Sequence, residues 1–258
     1  MLSLLLILPF TLISCKEKSI ESALDKEKLV LGFDDTFVPM GFKDENGEYT
    51  GFDLDLAKAV GEKLGKEIVF QPIDWTMKET ELNSGNIDFI WNGYSITEER
   101  KEKVAFSTAY LNNRQVIITL ADSDINTKAD LAGKIVGAQS ESSAVDAIEA
   151  DGDIISTFNS GKVITFDTNN EALMDLEAGR LDAVVADEIL AKYYISQRGS
   201  DKYKVLDEDF GKEAYAVGMR KDDVELVEAF NKAFNELVED GTAGEISEKW
   251  FGDDIIAK

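Results

Sequence analysis

Two stretches of the chain, 94 positions apart, have similar sequences and are followed by residues that could bind charge. They are 81–93 (ELNSGNIDFIWNG) and 175–187 (DLEAGRLDAVVAD). Each predicts a helix end, a Gly C-cap and a short buried strand. In open α/β sheets, ligands bind beyond the carboxyl ends of such strands. Because Ser95 and Arg100 follow the first stretch and Asp187 ends the second, the pattern predicts two similar lobes with facing sites of opposite charge.

These three residues also have simpler explanations. Arg100 lies in the first turn of a short helix predicted to begin near residue 97, where it could pair with Glu98 or Glu99 on the surface. Alternatively, its planar guanidinium could hold a carboxylate through two parallel hydrogen bonds, next to the free N–H groups of the helix start. Asp187 could cap the helix predicted from Glu188, or accept hydrogen bonds from a cation. Ser95 could also be a cap. From the residues alone, the cap and surface roles are the commoner ones.

The composition limits the functions open to this chain. Its 258 residues include 51 Asp and Glu against 27 Lys and Arg, a formal net charge of −24. This charge would repel nucleic acid and an anionic membrane surface, so we expect neither as a partner, although it also serves solubility alone. The sequence contains no His, which excludes Ser-His-Asp and Cys-His catalysis and His-ligated metal sites. We expect no catalytic residue, no metal ion and no cofactor.

The first residues are typical of an export signal. Residues 1–14 are apolar and uncharged but too short to span a bilayer, which predicts a signal peptide. The ending Leu12-Ile-Ser-Cys15 resembles a bacterial lipobox, so Cys15 is the predicted site of lipidation. Residues 15–28 are mostly polar and suit a tether to the membrane. The alternative, a buried helix with an inert thiol, fits poorly because charged residues follow the apolar run directly. Later in the chain, no apolar run is long enough to cross a membrane.

The rest of the chain alternates strand and helix patterns, which predicts an α/β fold with mainly parallel sheets. Lobe 1 is predicted from 29–117 and 214–258, and lobe 2 from 118–213. The chain would then cross between lobes twice, near 115–120 and 212–216, and two such crossings form a hinge. The predicted helices are 52–64, 76–83, 143–150, 169–178, 188–197 and 223–238, and the predicted strands include 29–33, 67–71, 87–91, 182–186 and 214–219.

Six segments, in order, resemble one protein family. They are 34–39 (DDTFVP), 51–56 (GFDLDL), 95–100 (SITEER), 136–143 (VGAQSESS), 179–187 (GRLDAVVAD) and 240–252 (DGTAGEISEKWFG). From about residue 29 to 252 the chain resembles bacterial extracytoplasmic solute-binding proteins of the polar amino-acid family, family 3, the receptors of ABC importers. The resemblance implies a two-lobed periplasmic-binding-protein-like (type II) fold and a monomer. It also implies a receptor on the outer side of the cell membrane that binds a free polar amino acid and delivers it to an ABC permease.

The resemblance also implies which residues bind the ligand. An α-amino acid carries a carboxylate and an ammonium on one carbon, and matching positions assign the carboxylate to Arg100 and Ser95 and the ammonium to Asp187. A carbonyl near Asn92 or Gly93 would share the ammonium. The resemblance assigns the walls of the pocket to Phe37 and Trp75, and the contact with the ligand side chain to Asp34. It assigns the second-lobe contacts to Gln139, Ser142 and Ser143. Capping by the two serines, a turn at Asp34 and core packing for Trp91 remain alternatives.

One departure from the family bears on the choice of ligand. Glu141 stands where relatives commonly have Gly, and its carboxylate would repel the ligand carboxylate if it pointed inward. We expect it to point away or to meet a cationic ligand group. The main prediction is a glutamine-like or cystine-like ligand, and the alternative is a cationic amino acid such as arginine, lysine or histidine. A dehydratase or lytic enzyme on the same fold, and a surface sensor or adhesion module, are the rival functions.

Overall fold

The computed structural model of the protein describes residues 22–257. The predicted signal peptide and Cys15 therefore lie outside the described residues. Within 22–257, no helix has both the length and the apolar character needed to cross a membrane.

The strands alternate with helices along most of the chain. In chain order the strands are β1 (Lys28–Phe33), β2 (Thr36–Phe37), β3 (Gly41–Lys43), β4 (Tyr49–Thr50), β5 (Glu67–Pro72), β6 (Phe89–Ile90), β7 (Ala105–Phe106), β8 (Leu111–Leu120), β9 (Val136–Gln139), β10 (Ile164–Phe166), β11 (Ala183–Asp187), β12 (Tyr203–Tyr215) and β13 (Gly218–Met219). The α-helices are α1 (Phe52–Leu64), α2 (Lys78–Asn83), α3 (Glu98–Lys103), α4 (Ser143–Ala150), α5 (Gly152–Ile155), α6 (Asn169–Glu177), α7 (Glu188–Arg198), α8 (Val224–Glu239) and α9 (Thr242–Phe251).

Two five-stranded sheets define two lobes. The first has the order β5-β1-β6-β13-β7, with β1 parallel to both neighbours and β13 antiparallel to β6 and β7. The second has the order β10-β9-β11-β8-β12, with β9 parallel to β10 and β11 and with β8 antiparallel to β11 and β12. A small antiparallel sheet of β2, β3 and β4 belongs to the first lobe. This arrangement confirms the predicted α/β class with mixed sheets.

The helix α1 illustrates how local sequence sets an element. Gly51 precedes it with φ +146°, and a Cβ atom there would lie 2.2 Å from the Met40 carbonyl oxygen, so only Gly fits. Gly65 ends the helix in the left-handed conformation. Between them Phe52, Leu56 and the other apolar positions are buried. The observed bounds are those that the sequence predicts.

The first lobe has an aromatic core. The Trp91 ring packs edge-on against Phe230 at 5.1 Å between ring centroids, and Phe230 stacks on Phe234 of the same helix, α8, at 6.1 Å. Tyr110 packs against Trp91 at 6.0 Å. Trp91 therefore packs in the core, as its position on a strand indicates.

Part of the predicted tether packs on this lobe. Ala23 is fully buried, its N–H donates to Asp223 Oδ2 at 2.8 Å, and the Ser22 hydroxyl donates to Asp223 Oδ1 at 2.6 Å. Lys26 pairs with the buried Asp88 at 2.7 Å. The folded body thus begins within the segment that composition alone assigns to a tether.

The two crossings between lobes are bonded to each other. The Tyr110 N–H donates to the Tyr215 carbonyl at 2.9 Å, and Asn113 pairs with Glu213 in the β8–β12 register. The first crossing lies earlier than the predicted 115–120, because Gln115 and the residues after it already pair with β11 inside the second sheet. On the other strand, Glu213 still pairs with β8, whereas the Val217 carbonyl accepts from the Ser107 N–H near β7. The lobe boundaries in the sequence remain predictions.

Candidate functional site

A small cavity lies between the lobes, beyond the carboxyl ends of the central strands. The space between its lining atoms, including the part open to solvent, is about 280 Å³. Ten of the eleven predicted ligand-binding residues line it: Asp34, Phe37, Trp75, Asn92, Gly93, Arg100, Gln139, Ser142, Ser143 and Asp187. The eleventh, Ser95, lies directly behind them, and its hydroxyl accepts a hydrogen bond from Ser143 at 3.0 Å. The structure therefore brings together residues spread over 150 positions of the sequence.

Arg100 faces the cavity from the first lobe. The Thr97 hydroxyl caps α3 by accepting from the Arg100 backbone N–H at 3.1 Å. Arg100 is 4% exposed. Its guanidinium carbon lies 4.6 Å from the centre of the Tyr94 ring, and its Nη1 donates to the Ser95 carbonyl at 3.0 Å. The surface alternative does not describe this side chain, because Glu98 and Glu99 pair with lysines of the same helix at 2.6 and 2.7 Å.

The loop of Asn92 and Gly93 is hydrogen-bonded, on its side away from the cavity, to Asp53, a residue that the sequence patterns did not identify. Asp53, fully buried, accepts from the Gly93 N–H at 2.7 Å and from the Tyr110 hydroxyl at 2.9 Å. Burial raises the pKa of the Asp53 carboxyl to about 7. Gly93 has φ +61°, and a Cβ atom there would lie 2.8 Å from the Phe37 ring. A signal for Asp53 was present in the sequence. Leu56 and Val60 lie three and seven positions after it, on the apolar face of the predicted helix, where a carboxylate needs buried partners.

Asp187 faces the cavity from the second lobe, at the end of β11. Its Oδ1 accepts from the Tyr215 hydroxyl at 2.6 Å, from Asn113 Nδ2 at 2.6 Å and from Gln115 Nε2 at 3.0 Å. It occupies the N-cap position of α7, but its side chain makes no cap hydrogen bond. Burial raises the pKa of the Asp187 carboxyl to about 8, and the neighbouring charge of Glu213 adds to this effect.

The start of α4 contributes the two serines from the second lobe. Ser142 occupies the N-cap position, yet its hydroxyl donates back to the Gln139 carbonyl at 2.7 Å rather than capping the helix. Ser143 is the first helical residue, and its hydroxyl accepts from Gln115 Nε2 at 3.1 Å. The free backbone N–H groups of this eight-residue helix lie at the cavity, where they favour an anion.

Glu141 has φ +54° and an exposed side chain, so its carboxylate points away from the cavity. Its backbone carbonyl instead accepts from two cations of the first lobe, Arg100 Nη2 and Lys78 Nζ, both at 3.1 Å. Lys78 is only 2% exposed, and burial, followed by the nearby Arg100 charge, lowers the pKa of its ammonium. The sequence patterns did not point to Lys78, because a lysine in a predicted helix is ordinarily on the surface.

Elsewhere on the cavity, the Asp34 carboxylate accepts hydrogen bonds from one amide side chain and one hydroxyl. Gln139 Nε2 donates to Asp34 Oδ2 at 2.8 Å across the cleft, and Asn169 Nδ2 donates to Gln139 Oε1 at 2.8 Å. The Thr36 hydroxyl donates to Asp34 Oδ1 at 2.6 Å, which is the predicted turn contact. Burial raises the pKa of Asp34 above its ordinary value. Phe37 and Trp75 form the apolar walls beside it.

The cavity thus presents a guanidinium and helix N–H groups on one side and carboxylates on the other. Such an arrangement can neutralise a small molecule that carries both charges. Among residues 22–257, no group of three or more Cys, Asp or Glu side chains is placed to hold a metal ion.

Comparison with known proteins agrees with this architecture. The chain is 32% identical to the L-cystine-binding protein TcyJ of Escherichia coli (strain K12), over 94% of this chain and 91% of TcyJ. It is also 32% identical to the arginine-binding extracellular protein ArtP of Bacillus subtilis (strain 168), over 94% and 93%. Its structure resembles that of an ABC uptake transporter substrate-binding protein from Streptococcus pneumoniae with bound histidine, with a TM-score of 0.89, 46% identity and coverage of 91% and 96%. Residues 29–253 match the model of the bacterial extracellular solute-binding proteins, family 3, and the chain belongs to that family.

Proposed function

We propose that the chain is an extracytoplasmic receptor that binds a free polar L-amino acid and delivers it to an ABC permease. The observation that carries this proposal is the placement of Arg100 and Asp187 on the same small cavity, each from a different lobe. Relatives that bind cystine, arginine and histidine support it. A solute-binding protein releases its ligand unchanged, so the dehydratase and lytic alternatives are set aside.

The two ends of the amino acid would meet opposite lobes. The ligand carboxylate would accept from the Arg100 guanidinium and from the N–H groups at the start of α4. The ammonium would donate to Asp187 and to a carbonyl of the loop at Asn92 and Gly93. These contacts exist together only when the lobes are closed, so the ligand stabilises the closed form by its difference in affinity for the two forms.

The ligand side chain would lie between Phe37 and Trp75 and end near Asp34 and Gln139. An uncharged polar side chain, glutamine-like or cystine-like, suits the amide and carboxylate groups there. A cationic side chain is the second candidate, because Asp34 is a buried carboxylate on this cavity without a Lys or Arg partner among residues 22–257. The solved relatives include an ancestral arginine-binding protein bound to glutamine, which is 41% identical to this chain with a TM-score of 0.81.

Lipidation of Cys15 would keep the receptor, as a monomer, at the outer face of the membrane. The wild type should then incorporate a labelled fatty acid in cells, and a Cys15→Ala variant should not. A wild type that takes up no label would exclude this anchor.

A thermal-shift screen tests the function. The part of the chain after Cys15 is mixed with each common amino acid and with cystine, and binding raises the melting temperature. We expect stabilisation by one amino acid or one group of similar amino acids. No stabilisation by any of them, at millimolar concentration, would refute the proposal.

A further inference from the structure

The carboxylate of Asp187 has a second carboxylate beside it. Glu213 lies on β12, at the second crossing between the lobes, and it is not among the residues predicted from the sequence. Asn113 Nδ2 donates to Asp187 and to Glu213, both at 2.6 Å. Gln115 Nε2 also donates to both, at 3.0 and 2.8 Å. The same two amides therefore hold the two carboxyl groups next to each other.

No positive charge balances this pair within residues 22–257. The partners of Glu213 are the Ser95 hydroxyl, at 2.7 Å, and the two amides, while those of Asp187 are the amides and the Tyr215 hydroxyl. The buried Asp187 lies beside the half-buried Glu213 with no cation of residues 22–257 between them, and a second carboxylate so close favours a proton on Asp187. Burial and the Glu213 charge raise the pKa of Asp187, in agreement with the geometry.

We infer that Glu213 and Asp187 form a two-carboxylate ammonium site, which holds one shared proton when empty and releases it to solvent when the ligand's ammonium enters. This inference rests on the proposed function. The empty pair carries one negative charge. The occupied pair carries two negative charges, which the ligand ammonium and the surrounding hydrogen-bond donors balance. Amino-acid binding is therefore coupled to proton release, and affinity increases as pH rises through the neutral range.

Other groups near the pair do not account for such a proton. The pKa of Tyr215 is raised well above its ordinary value, so the phenol stays protonated. Arg114, between the two amides on β8, is directed to the other face of the sheet and pairs with Glu188 and Asp209. Lys212, beside Glu213, is exposed.

Further charged groups lie on or behind the cavity. Lys78 bonds the carbonyls of Trp75 and Glu141 and pairs with Glu79, not with the two carboxyl groups. Arg100 stays protonated throughout this pH range. Asp34 accepts from Gln139 of the opposite lobe when the lobes are closed. Because burial raises the pKa of Asp34, closure would make this carboxyl take up a proton rather than release one. Asp53 contacts only residues of the first lobe, so closure leaves its hydrogen bonds unchanged.

Titration calorimetry measures the released proton. Binding of the amino acid found in the thermal-shift screen is measured at pH 7 in buffers of different ionisation enthalpy, and the dissociation constant is measured at pH 6, 7 and 8. We expect the wild type to release between half a proton and one proton at pH 7, and its dissociation constant to fall about tenfold or more from pH 6 to pH 8. Glu213→Gln should still bind, with release of less than half the wild-type amount and a flatter pH dependence.

The controls separate the possible failures. Glu188→Gln, which changes a neighbouring carboxylate outside the cavity, should keep the wild-type proton release. Binding by the wild type without proton release, or equal release by Glu213→Gln, would overturn the inference and leave the proposed function intact. If the wild type binds no amino acid, the proposed function itself fails.

Discussion

Replacing Arg100 by Ala tests the role assigned to the guanidinium. Two of its five N–H groups donate to the carbonyls of Ser95 and Glu141, and the others remain for a ligand carboxylate at the cavity. A charge-assisted hydrogen bond contributes about 1.5–3 kcal/mol, so two of them contribute about 3–6 kcal/mol. The dissociation constant of the amino acid should therefore rise by roughly two to four orders of magnitude.

The fold should survive this change. The variant loses two hydrogen bonds to backbone carbonyls and the contact with the Tyr94 ring. Because water in the cavity can donate to both carbonyls in place of the guanidinium, the net cost is about 1–3 kcal/mol. Calorimetry measures affinity and circular dichroism measures the melting temperature. The matched control is Lys101→Ala, because Lys101 is on the same helix but pairs with Glu98 on the exposed side. A dissociation constant within threefold of the wild type, in a folded Arg100→Ala variant, would refute the carboxylate role.

Four further changes probe the site. Asp187→Asn removes the countercharge of the ammonium and should weaken binding by at least about 100-fold in calorimetry; unchanged affinity would contradict this. Gly93→Ala places a Cβ atom 2.8 Å from a ring carbon of Phe37 and should weaken binding about tenfold or more. Its control is Gly85→Ala, which is also at positive φ but has no atom of the described residues beyond its chain neighbours within 4 Å of the added Cβ, and it should leave the affinity unchanged. Because the pKa of Asp53 is raised to about 7, its contribution to the free energy of unfolding is full below pH 4 and is lost as pH rises to 7. Urea unfolding between pH 4 and 7 measures this contribution, and Asp53→Asn should remove it, a change of up to about 4 kcal/mol. If the free energy of unfolding of the variant depends on pH as steeply as that of the wild type, Asp53 does not have the raised pKa. Lys78→Met removes one donor that bridges the lobes and should weaken binding roughly 3- to 10-fold without lowering the melting temperature, so equal affinity would argue against a role in closure.

The sequence predicts most of the framework because local patterns determine it. The helix α1 has the predicted bounds since apolar spacing and a Gly at each end define it. The helix α4 also has the predicted bounds, because Ser142 precedes it at the N-cap position and apolar residues recur along it. The strand β12 was not predicted before residue 214. Its acidic residues and its edge position in the sheet give no clear alternation of apolar and polar residues.

Some residues of the candidate site could likewise be predicted from the sequence, and others could not. Arg100 and Asp187 follow strands that the sequence identifies, so their meeting at the ends of the sheets could be predicted. Glu213 and Lys78 could not, because what makes them part of the site is contact with the opposite lobe or with another strand. Local sequence does not specify such pairings.

The paired crossings between the lobes have a consequence for how the receptor senses its ligand. Asn113, Gln115, Glu213 and Tyr215, which surround Asp187, belong to the strands that make those crossings. Any swing of the lobes must bend these strands and so rearranges the groups around the ammonium. The residues that surround the ammonium site are therefore also the residues that move when the lobes move, so ligand binding and lobe closure are coupled directly.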